Sequence, residues 1–148
     1  MADWRCMGEM LLREELQGFL MSIQSAFYER DLDTLFARFT LPLVVYSAAG
    51  VSLVRDEAEF ERMTDDYRAA LHSRAATHGA LMIESQEPAV NNRLRVTVRT
   101  RDLDENETQV TGSLVRYFLF EGPEGFTVEM LEYLEVPLPL SEVEDIVH

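Results

Sequence analysis

Two charged residues in the C-terminal half, Arg116 and Glu132, have side chains that could act on a small molecule. They lie on two strand-like runs joined by a turn near Pro123, so a hairpin would bring them to neighbouring or diagonal positions. In an apolar cavity, an arginine and a carboxylate are expected to pair, because either alone carries a large desolvation penalty. Arg116 could then hold a carboxylate or carbonyl oxygen of a ligand, and Glu132 could accept a proton.

If Arg116 faces the interior, the alternation of the two strands places apolar neighbours beside it. We predict a pocket with Arg116, Glu132 and Tyr46 as candidate catalytic residues. The predicted pocket residues are Tyr46, Tyr67, Phe36, Phe60, Met63, Leu114, Arg116, Phe118, Met130 and Glu132. Two alternatives stay open: the charged pair only satisfies itself, or the alternation is shifted by one residue and both side chains are solvated. Tyr46 and Tyr67 have an alternative too, since a tyrosine on an apolar stripe is most often a core residue with its hydroxyl bonded to the backbone.

The elements that must position these residues begin with three helical segments. From Met10 onward, apolar residues recur at intervals of three and four, which predicts a helix with one buried stripe. Asp31 or Asp33 can cap a second, shorter helix. Asp56, followed three residues later by Glu59, is typical of a capping box that opens a third helix.

Strand-like runs follow and interrupt the helices. Pro42 ends the second helix and favours a strand that reaches Tyr46, with a return strand over residues 51–54. Four further strands are predicted at residues 80–90, 93–103, 109–120 and 126–136. The second of these alternates strictly, with Leu94, Val96 and Val98 on one face and arginines on the other. Helices first and antiparallel strands afterwards predict an α+β fold.

The junction Arg30-Asp31-Leu32-Asp33-Thr34-Leu35, followed by Phe39, resembles that of the nuclear transport factor 2-like superfamily, as does the order of the elements. This superfamily includes the SnoaL-like cyclases and the ketosteroid isomerases. The resemblance covers residues 12 to 136, with Arg30 where glycine is common. It implies a cone-like, curved antiparallel or mixed sheet wrapped by three helices, with an internal pocket.

The same resemblance implies departures from the known catalysts of the superfamily. By register against the junction, the aspartate base of a ketosteroid isomerase falls on Tyr46. Its oxyanion aspartate, which comes just before a Phe-rich strand end, falls on Arg116, and its helical tyrosine falls near Ile23. SnoaL-like cyclases place a histidine in the pocket, yet none of the three histidines falls on a strand that should line it. The resemblance therefore predicts an architecture and leaves the reaction open.

Composition limits the partners. Thirteen basic against 27 acidic side chains give a net charge of −14, which disfavours nucleic acid and anionic membranes. No apolar run approaches the ~20 residues of a membrane span, and no signal peptide is expected. Cys6 is the only cysteine, so we expect no intrachain disulfide and a cytoplasmic protein. No metal site and no cofactor are expected.

A second copy of the chain is the predicted macromolecular partner. Arginines 93, 95, 99 and 101 share one face of a strand, which the resemblance identifies as the convex face of the sheet. Members of the superfamily commonly dimerise through that face. The predicted homodimer interface includes Arg95, Arg99, Tyr117 and Tyr133.

We interpret the chain as a single domain over residues 10–140, with a flexible lead at 1–9 and an acidic tail at 141–148. The leading function is binding of a small, mainly apolar molecule in the cone. The alternative is a cofactor-independent acid–base enzyme, an isomerase, cyclase or dehydratase, with Glu132 as base and Arg116 or Tyr46 as its electrophilic partner. A non-catalytic dimeric interaction module, with the cone filled by side chains, is the third possibility.

Overall fold

A computed structural model describes residues 4–135 of the chain, with side chains from residue 12 onward. The helices are α1 (Trp4–Glu29), α2 (Leu32–Arg38) and α3 (Glu57–His72). The strands are β1 (Phe39–Ser47), β2 (Gly50–Val54), β3 (His78–Gln86), β4 (Arg93–Leu103), β5 (Gln109–Gly122) and β6 (Gly125–Glu135). The predicted tail at 141–148 and the first three residues of the predicted lead lie outside the described residues.

The helices begin where the capping residues predict. The carboxylate of Asp31 accepts a hydrogen bond from the Thr34 backbone N–H at 3.2 Å and opens α2. At α3, the carboxylate of Asp56 accepts from the Glu59 N–H at 2.9 Å. Both predicted caps are therefore confirmed. Helix α1 begins at Trp4 and not at Met10, so residues 4–9 are helical.

The six strands form one mixed sheet in the order β2-β1-β6-β5-β4-β3. Only β1 and β6 run parallel, and all other neighbours are antiparallel. The apolar stripes of the helices pack on one face of the sheet. Leu16 and Leu20 of α1 and Phe60 of α3 are at most 2% exposed there. The predicted α+β fold class is confirmed.

The two faces of the sheet are distinguished by β4, whose alternation is as predicted. Leu94, Val96 and Val98 are at most 4% exposed and face the helices, which defines the inner face of the sheet. Directly paired residues of neighbouring strands share a face. Val98 pairs with Val115, and Val96 pairs with Tyr117, so these β5 residues belong to the inner face as well.

The predicted orientation of β5 was therefore wrong by one residue. Leu114, Arg116 and Phe118 lie on the opposite, outer face, because Arg116 pairs with Thr97 and Phe118 with Arg95. The burial of the residues that alternate with them supports this assignment, since Val115 is 3% and Leu119 is 1% exposed.

A β-bulge produces the corresponding error on β6. Leu119 pairs with Val128 while Phe118 pairs with Met130, so Glu129 is an extra residue. An extra residue inverts the alternation beyond it. Val128 is fully buried and faces inward, but Met130 and Glu132, which lie beyond the bulge, face outward.

Candidate functional site

A cavity of about 130 Å³ lies between the inner face of the sheet and helices α1 and α3. Most of its wall is apolar or aromatic. The aromatic lining residues are Phe27, Tyr28, Phe39, Phe60, Tyr67, Tyr117 and Tyr133. The aliphatic ones include Leu20, Ile23, Val45, Val115 and Leu131. The helical stripes and the inner faces of five strands thus enclose one space suited to an apolar guest.

The most polar part of this wall is the carboxyl group of Asp102, a residue that is only 6% exposed. Asp102 is inward because the alternation of Val96 and Val98 along β4 continues through Thr100. Tyr28, in the last turn of α1, donates a hydrogen bond from its hydroxyl to Oδ1 of Asp102. A helix and a strand therefore hold a carboxyl–phenol pair against the cavity.

The cavity shifts the ionisation of its own side chains. Burial raises the pKa of Asp102, and the hydrogen bond from Tyr28 acts in the opposite direction. The pKa of Tyr28 is raised chiefly by burial. Its hydrogen bond to Asp102 and the negative charge of Asp102 raise it further. Burial raises the pKa of Tyr133 to about 12, with the charge of Asp102 as the smaller cause. The pKa values of Tyr67 and Tyr117 are also raised, chiefly by burial.

Hydroxyl groups continue the polar part of the wall next to Asp102. The side chains of Thr100 and Ser113, on paired positions of β4 and β5, hydrogen-bond to each other. Both residues line the cavity, and Ser113 is 4% exposed. Among the described lining residues there is one carboxyl group and no arginine or histidine.

This arrangement can do two kinds of chemistry. The tyrosine hydroxyls remain neutral hydrogen-bond donors and acceptors, because their pKa values move away from neutrality. The carboxyl group of Asp102 is the one titratable group of the wall with its pKa raised toward neutrality, as a general acid or base requires. The cavity can therefore orient a small guest and could also move a proton.

Comparison with solved structures identifies the architecture. An NTF2-like protein of unknown function from Silicibacter pomeroyi superposes with a TM-score of 0.62 at 12% identity, covering 86% of this chain and 98% of that one. A second NTF2-like protein of unknown function, from Shewanella oneidensis, gives 0.59 at 13% identity, covering 82% and 97%. The chain has the nuclear transport factor 2-like fold.

A domain of unknown function with a cystatin-like fold from Nostoc punctiforme is similar at the same level, with a TM-score of 0.61 and 16% identity over 88% of this chain and 80% of that one. No protein-family model matches the chain, and no curated protein matches it in sequence. At these identities the likeness shows the fold alone. The function therefore has to be inferred from the residues that line the cavity.

Three of the predicted pocket residues line the cavity of this NTF2-like fold. Phe60, Met63 and Tyr67 project from α3 into its wall, because intervals of three and four residues place them on one side of the helix. Phe36 does not line the cavity. Its ring packs on that of Phe60, with centroids 5.7 Å apart, and so supports the wall from behind.

The other predicted pocket residues lie on the outer face. The predicted pairing of Arg116 with Glu132 is confirmed, with Nη1 and Oε1 2.8 Å apart. Tyr46 pairs with Glu132 across β1 and β6 and is 40% exposed. Leu114, Phe118 and Met130 do not line the cavity for the reasons of register and bulge given above. A catalytic role for Glu132, Arg116 and Tyr46 stays a prediction, but its premise that they face the cone interior was wrong.

The predicted dimer interface is likewise divided between the faces. Arg95 and Arg99 lie on the outer face of β4, whereas Tyr117 and Tyr133 line the cavity. A groove of about 550 Å³ crosses this outer face. Its lining includes Val44, Phe118 and Met130 of the sheet and Pro88 and Val90 of the β3–β4 connection.

Sequence reasoning missed Asp102 and Tyr28. The signal for Asp102 was present, because the strict alternation of β4 places residues 94, 96, 98, 100 and 102 on one face. Tyr28 lies eight residues after Leu20 on α1, an interval that returns to the same side of a helix. Within the described residues, no three metal-ligating side chains converge on one point. No helix of that part has the length and hydropathy of a membrane span.

Proposed function

We propose that the chain binds a small, mainly apolar molecule in the cavity of the cone. The observation that carries this proposal is an apolar, aromatic wall that includes one buried carboxyl group, Asp102, held by Tyr28. Small-molecule sites are concave and mostly apolar, and a few polar groups fix the orientation of the ligand. The polar end around Asp102, Thr100 and Ser113 would serve that purpose.

The volume of the cavity limits the size of the ligand. Drug-sized sites begin at ~300 Å³, whereas this cavity measures about 130 Å³. An engineered apolar cavity of roughly 150 Å³ stays dry and binds benzene. We therefore expect a ligand of about the size of benzene.

Benzene itself is a suitable test ligand. We expect it to raise the melting temperature of the wild-type chain and to shift methyl resonances of Leu20 and Leu131, which line the cavity. Val115→Phe should fill the cavity and abolish both effects, because Val115 lies in its wall. Leu114→Phe is the matched control, since the neighbouring residue faces outward and the added ring leaves the cavity open.

The experiment is a methyl NMR titration with thermal unfolding of the three proteins. Absence of benzene-induced shifts in the wild type would contradict the proposal, as would equal shifts in Val115→Phe. A folded Val115→Phe variant that has lost only the benzene response is the supporting result. Should that variant not fold, the wild-type shifts alone decide, because they must map to the cavity methyl groups.

An acid–base enzyme on the same scaffold is the second candidate, favoured by the raised pKa of Asp102. Asp102 would accept a proton next to a carbonyl group, and Tyr28 would position the carboxylate. Cyclopentanone is small enough to test this activity by exchange of its α-protons in D₂O. Exchange faster than in buffer, lost in Asp102→Asn, would support turnover. Exchange at the buffer rate would leave binding as the function.

We also propose that two copies associate through the outer face. Its support is the groove, which is lined by Val44, Phe118 and Met130 together with Arg93 and Arg95. Apolar and arginine side chains together are typical of the centre of an interface. We expect this dimer in the cytoplasm, because a single cysteine allows no intrachain disulfide. A dimer that binds none of the test ligands would instead support the non-catalytic interaction module.

A further inference from the structure

The carboxyl group of Asp102 has no cationic partner among the described residues. Its hydrogen bond comes from the neutral hydroxyl of Tyr28 and reaches Oδ1. The salt bridges of residues 12–135 join other carboxylates to arginines, and no arginine or histidine lines the cavity. A buried carboxylate is normally paired, because an isolated charge is poorly solvated inside a protein. The second oxygen, Oδ2, accepts no hydrogen bond from these residues.

Aromatic residues from several elements line the cavity together with this carboxyl group. Phe27 contacts both Tyr28 and Tyr67, with ring centroids 5.5 Å apart in each pair. Tyr117 and Tyr133 line the same cavity from β5 and β6. The face of an aromatic ring carries partial negative charge and attracts cations, which is how aromatic cages recognise ammonium groups. The carboxyl group and the aromatic rings therefore both favour a positively charged ligand.

We propose that the ligand of the cavity is a small organic cation, an ammonium group that carries a short apolar substituent. This inference rests on the proposed function, since it names the chemical class of the ligand for the same cavity. The ammonium group lies against Asp102 and donates to Oδ2, and the aliphatic part fills the space beside Val115 and Leu131. The ligand supplies the charge that no described side chain of the cavity provides.

The competing arrangement is a neutral ligand beside a protonated Asp102. The two differ in their response to pH. The titratable groups that face Asp102 are Tyr28 of α1, Tyr67 of α3, Tyr117 of β5 and Tyr133 of β6. All of these tyrosines stay neutral at physiological pH, so Asp102 alone sets the charge of the cavity in that range. A cation binds better as Asp102 ionises, and a neutral acceptor binds better when it is protonated.

Two molecules of nearly equal shape separate charge from size: tert-butylammonium chloride and tert-butyl alcohol. We expect the cation to bind the wild type about tenfold more tightly than the alcohol, as hydrogen bonds to charged groups are stronger than neutral ones. The preference should disappear in Asp102→Asn. Asp66→Asn is the matched control, because it removes the same charge from an exposed position on α3. Calorimetric titration in roughly 0.5 M NaCl screens the general attraction of an acidic surface.

The outcomes are distinct. Equal affinity for cation and alcohol in the wild type, or a preference that persists in Asp102→Asn, would overturn the inference. Binding of benzene and the alcohol without the cation would overturn it and leave the proposed function standing. Failure of benzene and both tert-butyl compounds to bind would contradict both this inference and the proposed function. If Asp102→Asn does not fold, the wild type decides: its preference for the cation must weaken as the pH falls through the pKa of Asp102.

Discussion

At the scale of single residues, Asp102 has an energetic signature that separates it from a structural residue. Burial raises its pKa above the ordinary value of 3.8. The native state then holds this proton more tightly than the unfolded chain, so stability falls as the pH rises from the unfolded value through the folded pKa. We therefore expect the ionised carboxyl group to destabilise the fold at neutral pH.

We predict that Asp102→Asn raises the melting temperature at neutral pH. The amide oxygen can still accept the hydrogen bond of Tyr28, and the buried charge is gone. The gain should shrink as the pH is lowered toward the unfolded value, because the wild-type carboxyl group is then neutral too. Thermal unfolding over an acidic-to-neutral pH series, with Asp66→Asn as control, measures this difference. A lower melting temperature of Asp102→Asn at neutral pH would show that the carboxylate stabilises the fold.

Arg30, at the junction of α1 and α2, combines an unfavourable backbone conformation with favourable ion pairs. Its backbone has a φ of 57°, which is unfavourable for a residue with a side chain. The guanidinium group contacts Asp65 at 2.9 Å and Glu61 at 2.7 Å on α3. This contact, with that of Arg68, lowers the pKa of Asp65 to about 2.

Glycine and alanine at this position separate backbone from side chain. Arg30→Gly and Arg30→Ala lose the same ion pairs, but only alanine keeps the unfavourable φ. We predict that Arg30→Gly is the more stable of the two by about 0.5–1 kcal/mol. Urea unfolding of both variants gives the comparison directly. Equal stability would mean that the junction relaxes away from its left-handed conformation in the alanine variant.

At the scale of elements, the strands show what the sequence can and cannot predict. The faces of β4 were predictable because arginines alternate with Leu94, Val96 and Val98. On β5 both faces are apolar: Val115 and Leu119 lie on one, and Leu114 and Phe118 on the other. The sequence of β5 therefore does not distinguish a polar face from an apolar one, and only the pairing with β4 decides which face is inward.

The bulge at Glu129 could not be predicted from the sequence either. Nothing in the local sequence of β6 indicates an extra residue, yet it determines whether Met130 and Glu132 face the cavity. The helical part of the site was predictable, because Phe60, Met63 and Tyr67 lie at helical spacing on one apolar stripe. Extending the β4 alternation to its end would have reached Asp102 as well.

The edge strand β3 is covered by polar side chains of α1. Arg13 donates a hydrogen bond from Nη2 to the carbonyl oxygen of Ile83 at 2.6 Å. Gln17 makes a longer contact, 3.5 Å, with the carbonyl oxygen of Leu81. An unpaired strand edge is a template for association with other chains, and such contacts block it.

We predict that Arg13→Ala lowers the free energy of unfolding by about 1–2 kcal/mol. It should also accelerate hydrogen exchange along β3, since the helix no longer holds that edge. Arg62→Ala, at an exposed position of α3, removes the same charge without altering the edge. Urea unfolding and exchange mass spectrometry of both variants provide the readouts. An exchange rate of β3 as slow as in the control would show that packing of α1, without the arginine, covers the edge.

At the scale of the whole molecule, the charge balance of the outer face differs from that of the chain as a whole. The chain has a net charge of −14, but on the outer face arginines and glutamates neutralise one another. Arg93 pairs with Glu129 at 3.2 Å, Arg99 with Glu84 at 2.8 Å, and Arg116 with Glu132 at 2.8 Å. Two such faces can approach without the repulsion expected between acidic surfaces.

A matched pair of methionines tests whether this face forms a homodimer. Met130 lies in the outer groove, and Met21 is 52% exposed on α1. We predict that the wild type sediments at twice the chain mass of 17.0 kDa. Met130→Glu should be a monomer at the same concentration, because it buries an unpaired charge in the interface, and Met21→Glu should remain a dimer. A monomeric wild type, or a dimeric Met130→Glu, would contradict the outer-face dimer.

The same variant tests whether the two proposed functions are independent. The cavity is lined by Tyr117 and Tyr133 on the inner face, while Phe118 and Met130 form the groove on the other side of the same strands. We therefore expect monomeric Met130→Glu to bind benzene and tert-butylammonium as the wild type does. A loss of binding together with dimerisation, measured by the same titrations, would show that association through the outer face is needed to keep the cavity open. The sheet would then couple the two sites through the alternating side chains of β5 and β6.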